Sequence, residues 1–216
     1  HQAKYLVKDV AGNTSSVDFS FISDTSLDVP SVSPQQNFFS YDEDYLYENE
    51  EITFFIKKNS LYNDINFEYS KRQASTDFLT GIHCIHFDDT PVHIPFSISI
   101  VIDSIPSAYK HKALICMVNK EGVTNCLSTT CRRDTLHANS RTFGEYSVVV
   151  DTIPPTLKTL SFVKDLRLVS SMSFKVDDAL SGLKSYNAYV DGEWILLEYD
   201  AKNKKLTHYF DGKINS

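Results

Sequence analysis

The chain has 216 residues, of which 42% are hydrophobic, and it is rich in Phe (14) and Tyr (12) but poor in Met (2) and Gly (7). That content is enough for a real core and excludes a wholly disordered chain. The net charge of −7, from 21 basic and 28 acidic residues with no long basic run, excludes nucleic acid as the main partner, because phosphate binding needs a concentrated positive surface.

Strand-like runs recur at short intervals: Lys4 to Lys8, Val17 to Ile22, Ile52 to Lys57, Ile82 to Phe87, Phe96 to Ile102, Ala113 to Val118 and Tyr146 to Val150. Further runs follow at Met172 to Val176, Ser185 to Val190, Trp194 to Glu198 and Leu206 to Phe210. Phe96-Ser97-Ile98-Ser99-Ile100 alternates apolar with polar, as a strand with one wet face does. Val190 and Trp194 flank Asp191-Gly192, the residue pair that best tolerates positive φ, so this segment predicts a hairpin. No window carries a sustained helical stripe. Short strands with polar turns predict an all-β fold of tandem antiparallel immunoglobulin-like or fibronectin-like sandwiches.

Two boundaries divide the chain. Residues 24 to 37 are polar with two prolines and read as a linker. Asp151-Thr152-Ile153-Pro154-Pro155 forms the second, because paired prolines cannot donate to a sheet ladder. Residues 38 to 150 are then a central sandwich. Residues 1 to 23 are the terminal strand pair of an immunoglobulin-like domain, with Asp9-Val10-Ala11-Gly12-Asn13 as its turn, and residues 156 to 216 are a partial sandwich. A half sandwich leaves an open edge and an uncovered apolar face. The first 23 residues are therefore expected to complete a preceding domain, or to dock on another sheet in this chain or in a neighbouring molecule. No apolar run approaches the roughly 18 residues needed to span a bilayer, and His1 opens no signal-peptide pattern. The chain reads as a segment cut from something longer, without a transmembrane segment.

The residue patterns that carry chemistry are sparse. His83, His86 and His93, with Asp88 and Asp89 nearby, form the one histidine cluster, but positions 83 and 86 on a strand point to opposite faces and cannot chelate one ion without a bulge. Cys84 and His86 share a face, which supplies only two ligands. The chain has no Gly-x-Ser-x-Gly, no Gly-x-Gly and no His-Glu-x-x-His, which removes the usual nucleophile elbow, phosphate cradle and zinc helix. The acidic run Tyr41 to Glu51 lacks the order of a calcium loop and reads as a solvated loop leading into the strand at Ile52. Of the cysteines, Cys126 and Cys131 bracket a four-residue loop and are the candidate disulfide in an oxidising compartment, while Cys84 and Cys116 read as small buried hydrophobes inside strands. Tyr186, Tyr189 and Trp194, with Tyr199, are the candidate ligand-binding residues, as a sugar-stacking platform; the competing reading puts the single Trp in the core.

Asp151-Thr152-Ile153-Pro154-Pro155, Phe174-Lys175-Val176-Asp177-Asp178 with Ser181-Gly182, Tyr186, Asp191-Gly192-Glu193-Trp194-Ile195 and Glu198 to Lys202 together resemble a known pattern. They are similar to the C-terminal β-sandwich region of secreted Bacteroidetes zinc endopeptidases of the lysostaphin type. Thr142-Phe143-Gly144-Glu145-Tyr146 fits the same order, and Asp9-x-x-Gly12-Asn13 fits the end of an earlier sandwich. The resemblance covers accessory domains only. That family cleaves peptide cross-links of bacterial cell walls with zinc held by a His-x-x-x-Asp and a His-x-His element, neither of which occurs here. The last domain of such proteins continues into a strand pair with an Asp-x-x-Gly-Asn turn, and Ser216 precedes any such pair here.

The resemblance implies a noncatalytic accessory segment of an exported cell-wall zinc metallopeptidase, located in the periplasm, at the cell surface or outside the cell. It would position the catalytic domain or engage peptidoglycan or another envelope component. It implies no cofactor in this segment and zinc only in a catalytic domain elsewhere in the protein. The alternatives are a surface adhesin or carbohydrate-binding module, and, lowest, a hydrolase using scattered carboxylates.

Overall fold

A computed structural model describes residues 1–22, 37–74, 78–102, 105–161 and 169–210. The linker predicted at 24 to 37 lies outside these residues except for Asn37. The chain divides into two units, His1–Gln36 and Asn37–Ser216, and the described residues are almost all in antiparallel sheets.

The first unit is a hairpin of β1 (Gln2–Lys8) and β2 (Thr14–Ser20), registered from Gln2 opposite Ser20 to Lys8 opposite Thr14. Its turn is held by Asp9, whose carboxylate accepts from the Asn13 backbone N–H and side-chain amide, both at 2.8 Å. Those bonds draw the Asp9 carboxyl below its usual range. Gly12 takes φ +92, a conformation open to glycine and costly for other residues. Period-2 alternation gathers Tyr5, Val7, Val17 and Phe19 on one face and Lys4, Leu6, Lys8 and Asp18 on the other. Tyr5 stacks on Phe19 at 5.6 Å.

The second unit opens with β3 (Phe38–Phe39), β4 (Tyr45–Glu48), β5 (Ile52–Ile56), β6 (Ile65–Asn66), β7 (Tyr69–Arg72) and β8 (Ile82–Ile85). It continues through β9 (Pro91–Val101), the short α1 (Ser107–Lys110), β10 (Ala113–Asn119), β11 (Gly122–Cys126), β12 (Thr130–Arg132), β13 (Thr135–Thr142) and β14 (Gly144–Val150). Two five-stranded sheets form, in the orders β11-β10-β14-β8-β7 and β12-β13-β9-β5-β4. Their facing sides supply one core, with Ile52, Phe54 and Ile56 from β5, Phe96, Ile98 and Ile100 from β9, Leu136 from β13, Ile115 from β10, and Tyr146 and Val148 from β14. The Ser97 and Ser99 positions between the β9 core residues are less buried, as the alternation predicted. The Tyr146 hydroxyl donates to the Thr142 carbonyl and lies 2.7 Å from Ser140 Oγ. A buried tyrosine tied back to backbone a few residues upstream is the brace that immunoglobulin sandwiches use at one strand corner.

Part of the acidic run is a strand rather than the expected solvated loop. Tyr45 and Tyr47 alternate with Leu46 and Glu48 on β4, so their rings turn inward; Tyr45 stacks on Phe39 at 4.0 Å and Tyr47 on Phe54 at 4.6 Å. The carboxylates keep to the wet side and the turns.

After Asp151 to Pro155, where no strand is formed, come β15 (Thr156–Ser161), β16 (Ser171–Asp177), β17 (Ala188–Val190), β18 (Glu193–Ile195), β19 (Glu198–Asp200) and β20 (Lys205–Tyr209). They make a four-stranded sheet, β15-β16-β20-β19, and a separate two-stranded one, β17-β18. The run predicted as one strand from Trp194 to Glu198 is broken at Leu196-Leu197, because Leu197 turns into the small cluster of Val176 and Leu206. Asp151 ties this region to the end of β14, accepting from the Ile153 N–H and the Ser181 N–H, each at 3.1 Å. Among the described residues no helix is long and apolar enough to cross a membrane, which says nothing of spanning strands.

Candidate functional site

The predicted aromatic residues fall on and beside the β17–β18 hairpin. Its turn, Asp191-Gly192, has φ of 48° and 88°, the two consecutive positive values of the turn that matches the twist of paired strands. Register sets Ala188 opposite Ile195, Tyr189 opposite Trp194 and Val190 opposite Glu193. Ile195 points inward and is buried, so its neighbour Trp194 must point outward; Trp194 is 57% exposed and Tyr189 63%. Trp194 is therefore a surface residue and not part of the core. Its indole N–H donates to Asn187 Oδ1 at 3.2 Å.

Tyr186 belongs to a different contact. Its ring sits 5.6 Å from that of Tyr199, and it lines a groove of about 350 Å³ with Leu157, Phe174, Val176, Leu183 and Leu206. Tyr189 and Trp194 are not in the groove lining. The three candidate residues thus divide into an exposed aromatic pair and a groove-wall residue. Asp177, on the neighbouring β16, is paired with Lys204 at 2.6 Å, which holds its carboxyl below the usual range and makes it a weaker proton acceptor.

His83 lies on β8 and His86 just beyond its end, so strand alternation does not govern the pair. His83 is fully buried on the core side of β8, its Nδ1 2.9 Å from the Tyr69 hydroxyl, and burial pushes its pKa down to about 4. His86 follows β8 at φ 50° and packs against Phe67, Phe87 and Phe143. His93 lies 3.3 Å from the Tyr62 hydroxyl. Among the described residues no group of three or more His, Cys, Asp or Glu is placed to hold a metal ion.

The disulfide joins Cys116 to Cys126, not Cys126 to Cys131. The reason is register: β10 and β11 place Cys116 directly opposite Cys126, whereas Cys131 has moved to β12 in the other sheet and is exposed and free. Cys116 is fully buried, but as half of that bond rather than as a lone hydrophobe. Cys84 is a free, partly buried strand residue whose thiol donates to Glu145 at 3.7 Å. Arg72 grips the same carboxylate, holding its pKa low, so Glu145 is a poor base for that thiol. Ser99 Oγ lies 2.8 Å from His137 Nδ1 across β9 and β13, a pair that sequence spacing could not reveal because it depends on the register of strands 38 residues apart. It lies across paired strands, without the turn that presents a nucleophile in a hydrolase.

Residues 36–151 match the family model of the Zu5-like domain. No curated protein matches the chain, and no solved structure does. The matched span runs from β3 to β14, so the hairpin β1–β2 and the aromatic surface on β17–β18 lie outside it.

Proposed function

We propose that this chain, which belongs to the Zu5-like domain family through its central sandwich, is a noncatalytic binding module of an exported protein. Its contact surface is the Tyr189–Trp194 pair. That pair carries the proposal: two large rings directly opposed across a hairpin, both exposed, with the indole held in place by Asn187. Flat, oriented rings of this kind stack on the apolar face of a sugar while the phenol and rim amides meet its hydroxyls. The Cys116–Cys126 bond supports the exported setting, since such bonds persist in oxidising compartments.

In its finer form the proposal assigns the segment to a cell-wall zinc endopeptidase, where it positions the catalytic domain or holds peptidoglycan. The resemblance over residues 142 to 202 supports that assignment. The zinc would be held elsewhere in the protein. A surface adhesin or carbohydrate-binding module is the second reading, favoured by the same ring pair. Co-sedimentation with purified peptidoglycan sacculi and with an insoluble polysaccharide panel tests both. Retention on sacculi that falls at least tenfold in Trp194→Ala and Tyr189→Ala, with unchanged thermal unfolding, supports the envelope reading. Retention on another glycan alone shifts it to the adhesin. Variants that bind as the wild type does would reject the ring pair as the contact.

A further inference from the structure

We infer that a cleft at the mouth of the central sandwich binds the free N-terminus of a peptide, with the terminal ammonium on Glu50 and Glu51 and the first carbonyl on His83. The inference uses neither ring of the Tyr189–Trp194 pair and is independent of the glycan reading.

The cleft has a volume of about 420 Å³ and is lined by Glu50, Glu51, Gly81 and His83, a size within the range of small-ligand sites. It opens between the two five-stranded sheets. His83 comes from β8 of one, whereas Glu50 and Glu51 lead into β5 of the other, where the Val101 N–H at the end of β9 donates to the Glu51 carbonyl at 2.9 Å. Register puts Lys71 of β7 opposite His83, and its ammonium crosses the gap to the Glu51 carboxylate. The Lys71 stem lies over Gly81, where a Cβ would collide with it.

The cleft wall carries an unmet donor. His83 is fully buried, and its Nε2 has no hydrogen-bond partner. The Tyr69 hydroxyl accepts from the Asn49 amide at 3.5 Å, so it donates to His83 Nδ1 at 2.9 Å and the single proton of the neutral ring sits on Nε2. A buried donor without an acceptor is costly, and an acceptor entering the cleft meets this one.

The charges select the rest of the ligand. Glu51 is shared with Lys71, while the Glu50 carboxylate makes no hydrogen bond or ion pair among the described residues. Two acids against one cation favour a cationic ligand, and no three ligating side chains among the described residues are placed for a metal ion. A lysine side chain would satisfy the acids but brings no acceptor close to its ammonium for Nε2–H. A peptide N-terminus brings both, because its first carbonyl adjoins the carbon that bears the amine. Leu79, Ile100 and Val101 add an apolar wall for a small first side chain, which favours a peptide over an amino sugar.

The test titrates alanyl-alanine amide into the full chain, followed by NMR of backbone amides and imidazole nitrogens, with N-acetyl-alanyl-alanine amide and glucosamine as comparisons. The expected result is saturable shifts at the Glu51 and Gly81 amides and at His83 Nε2, with Kd at or below about 10 mM, and none with the acetylated probe. Glu50→Gln, at an exposed position outside the strands, should weaken binding about threefold or more with unchanged thermal unfolding. Absent saturation, equal binding of the acetylated probe, an unmoved His83 imidazole, tighter binding of glucosamine, or Glu50→Gln binding as the wild type does would each overturn the inference.

Discussion

His83 makes the stability of the central sandwich depend on pH in a calculable way. The ring is fully buried beside Tyr69, and its pKa falls from an ordinary 6.5 to about 4, chiefly through loss of hydration, with Glu51 opposing and Lys71 adding to the shift. Between those two values the unfolded chain binds a proton that the folded chain refuses. Stability is therefore full above pH 6.5 and drains away as pH falls toward 4. With these two pKa values the group removes about 2 kcal/mol between pH 7 and pH 5, and about 3 kcal/mol over the whole window. Urea unfolding at pH 7 and pH 5 measures it, with His83→Asn as the comparison, since the amide cannot titrate in this range but can still meet the Tyr69 hydroxyl. Carboxylates held low in the folded state, such as Glu145 beside Arg72, also lose stability in acid, but equally in both chains. The wild type should lose more than His83→Asn by about 2 kcal/mol. Equal losses in the two chains would refute the reasoning.

The Cys116–Cys126 bond closes a loop of sequence separation 10, for which chain entropy gives about 2.7 kcal/mol. Cys116→Ala/Cys126→Ala should lower the urea stability by about that amount, while Cys131→Ser, at an exposed free thiol, should leave it within about 0.5 kcal/mol. Tyr146→Phe strips the hydroxyl that bonds Ser140 and the Thr142 carbonyl in a buried corner. It should cost about 1–3 kcal/mol with no change in volume to blame, read by the same denaturant curves.

The sandwich was legible where alternation was strong. β5 and the C-terminal half of β9 bury every second residue with Ile or Phe, and these two strands, with β10 and β14, overlap their predicted runs. β13 escaped because its inward positions are Leu136, Ala138 and Ser140 between Thr, His, Asn and Arg. Small and polar residues can fill a crowded layer, and that crowding is a property of the partner sheet. β4 escaped because its carboxylates outweigh its two inward tyrosines in any composition window. The disulfide was misassigned for the same reason: spacing along the chain favoured Cys126 with Cys131, whereas strand register decides which sulfurs meet. The opposed faces expected of His83 and His86 assumed a strand through both, but β8 ends at Ile85 and the His86 ring meets the core phenylalanines Phe67 and Phe143. The exposure of Trp194 turned on which side of the β17–β18 hairpin met the sheet, and Ile195, buried at 7%, settled it.

The two sandwich regions share strand grammar but not burial, and this predicts unequal cooperativity. The central core closes on both sheets, whereas the C-terminal cluster fully buries only Val176, Leu197 and Leu206. Local opening should therefore cost less in β15, β16 and β20 than in β9 and β14, because fewer apolar groups are re-exposed when those strands separate. Amide exchange should be faster at Phe174 to Val176 than at Ile98 to Ile100.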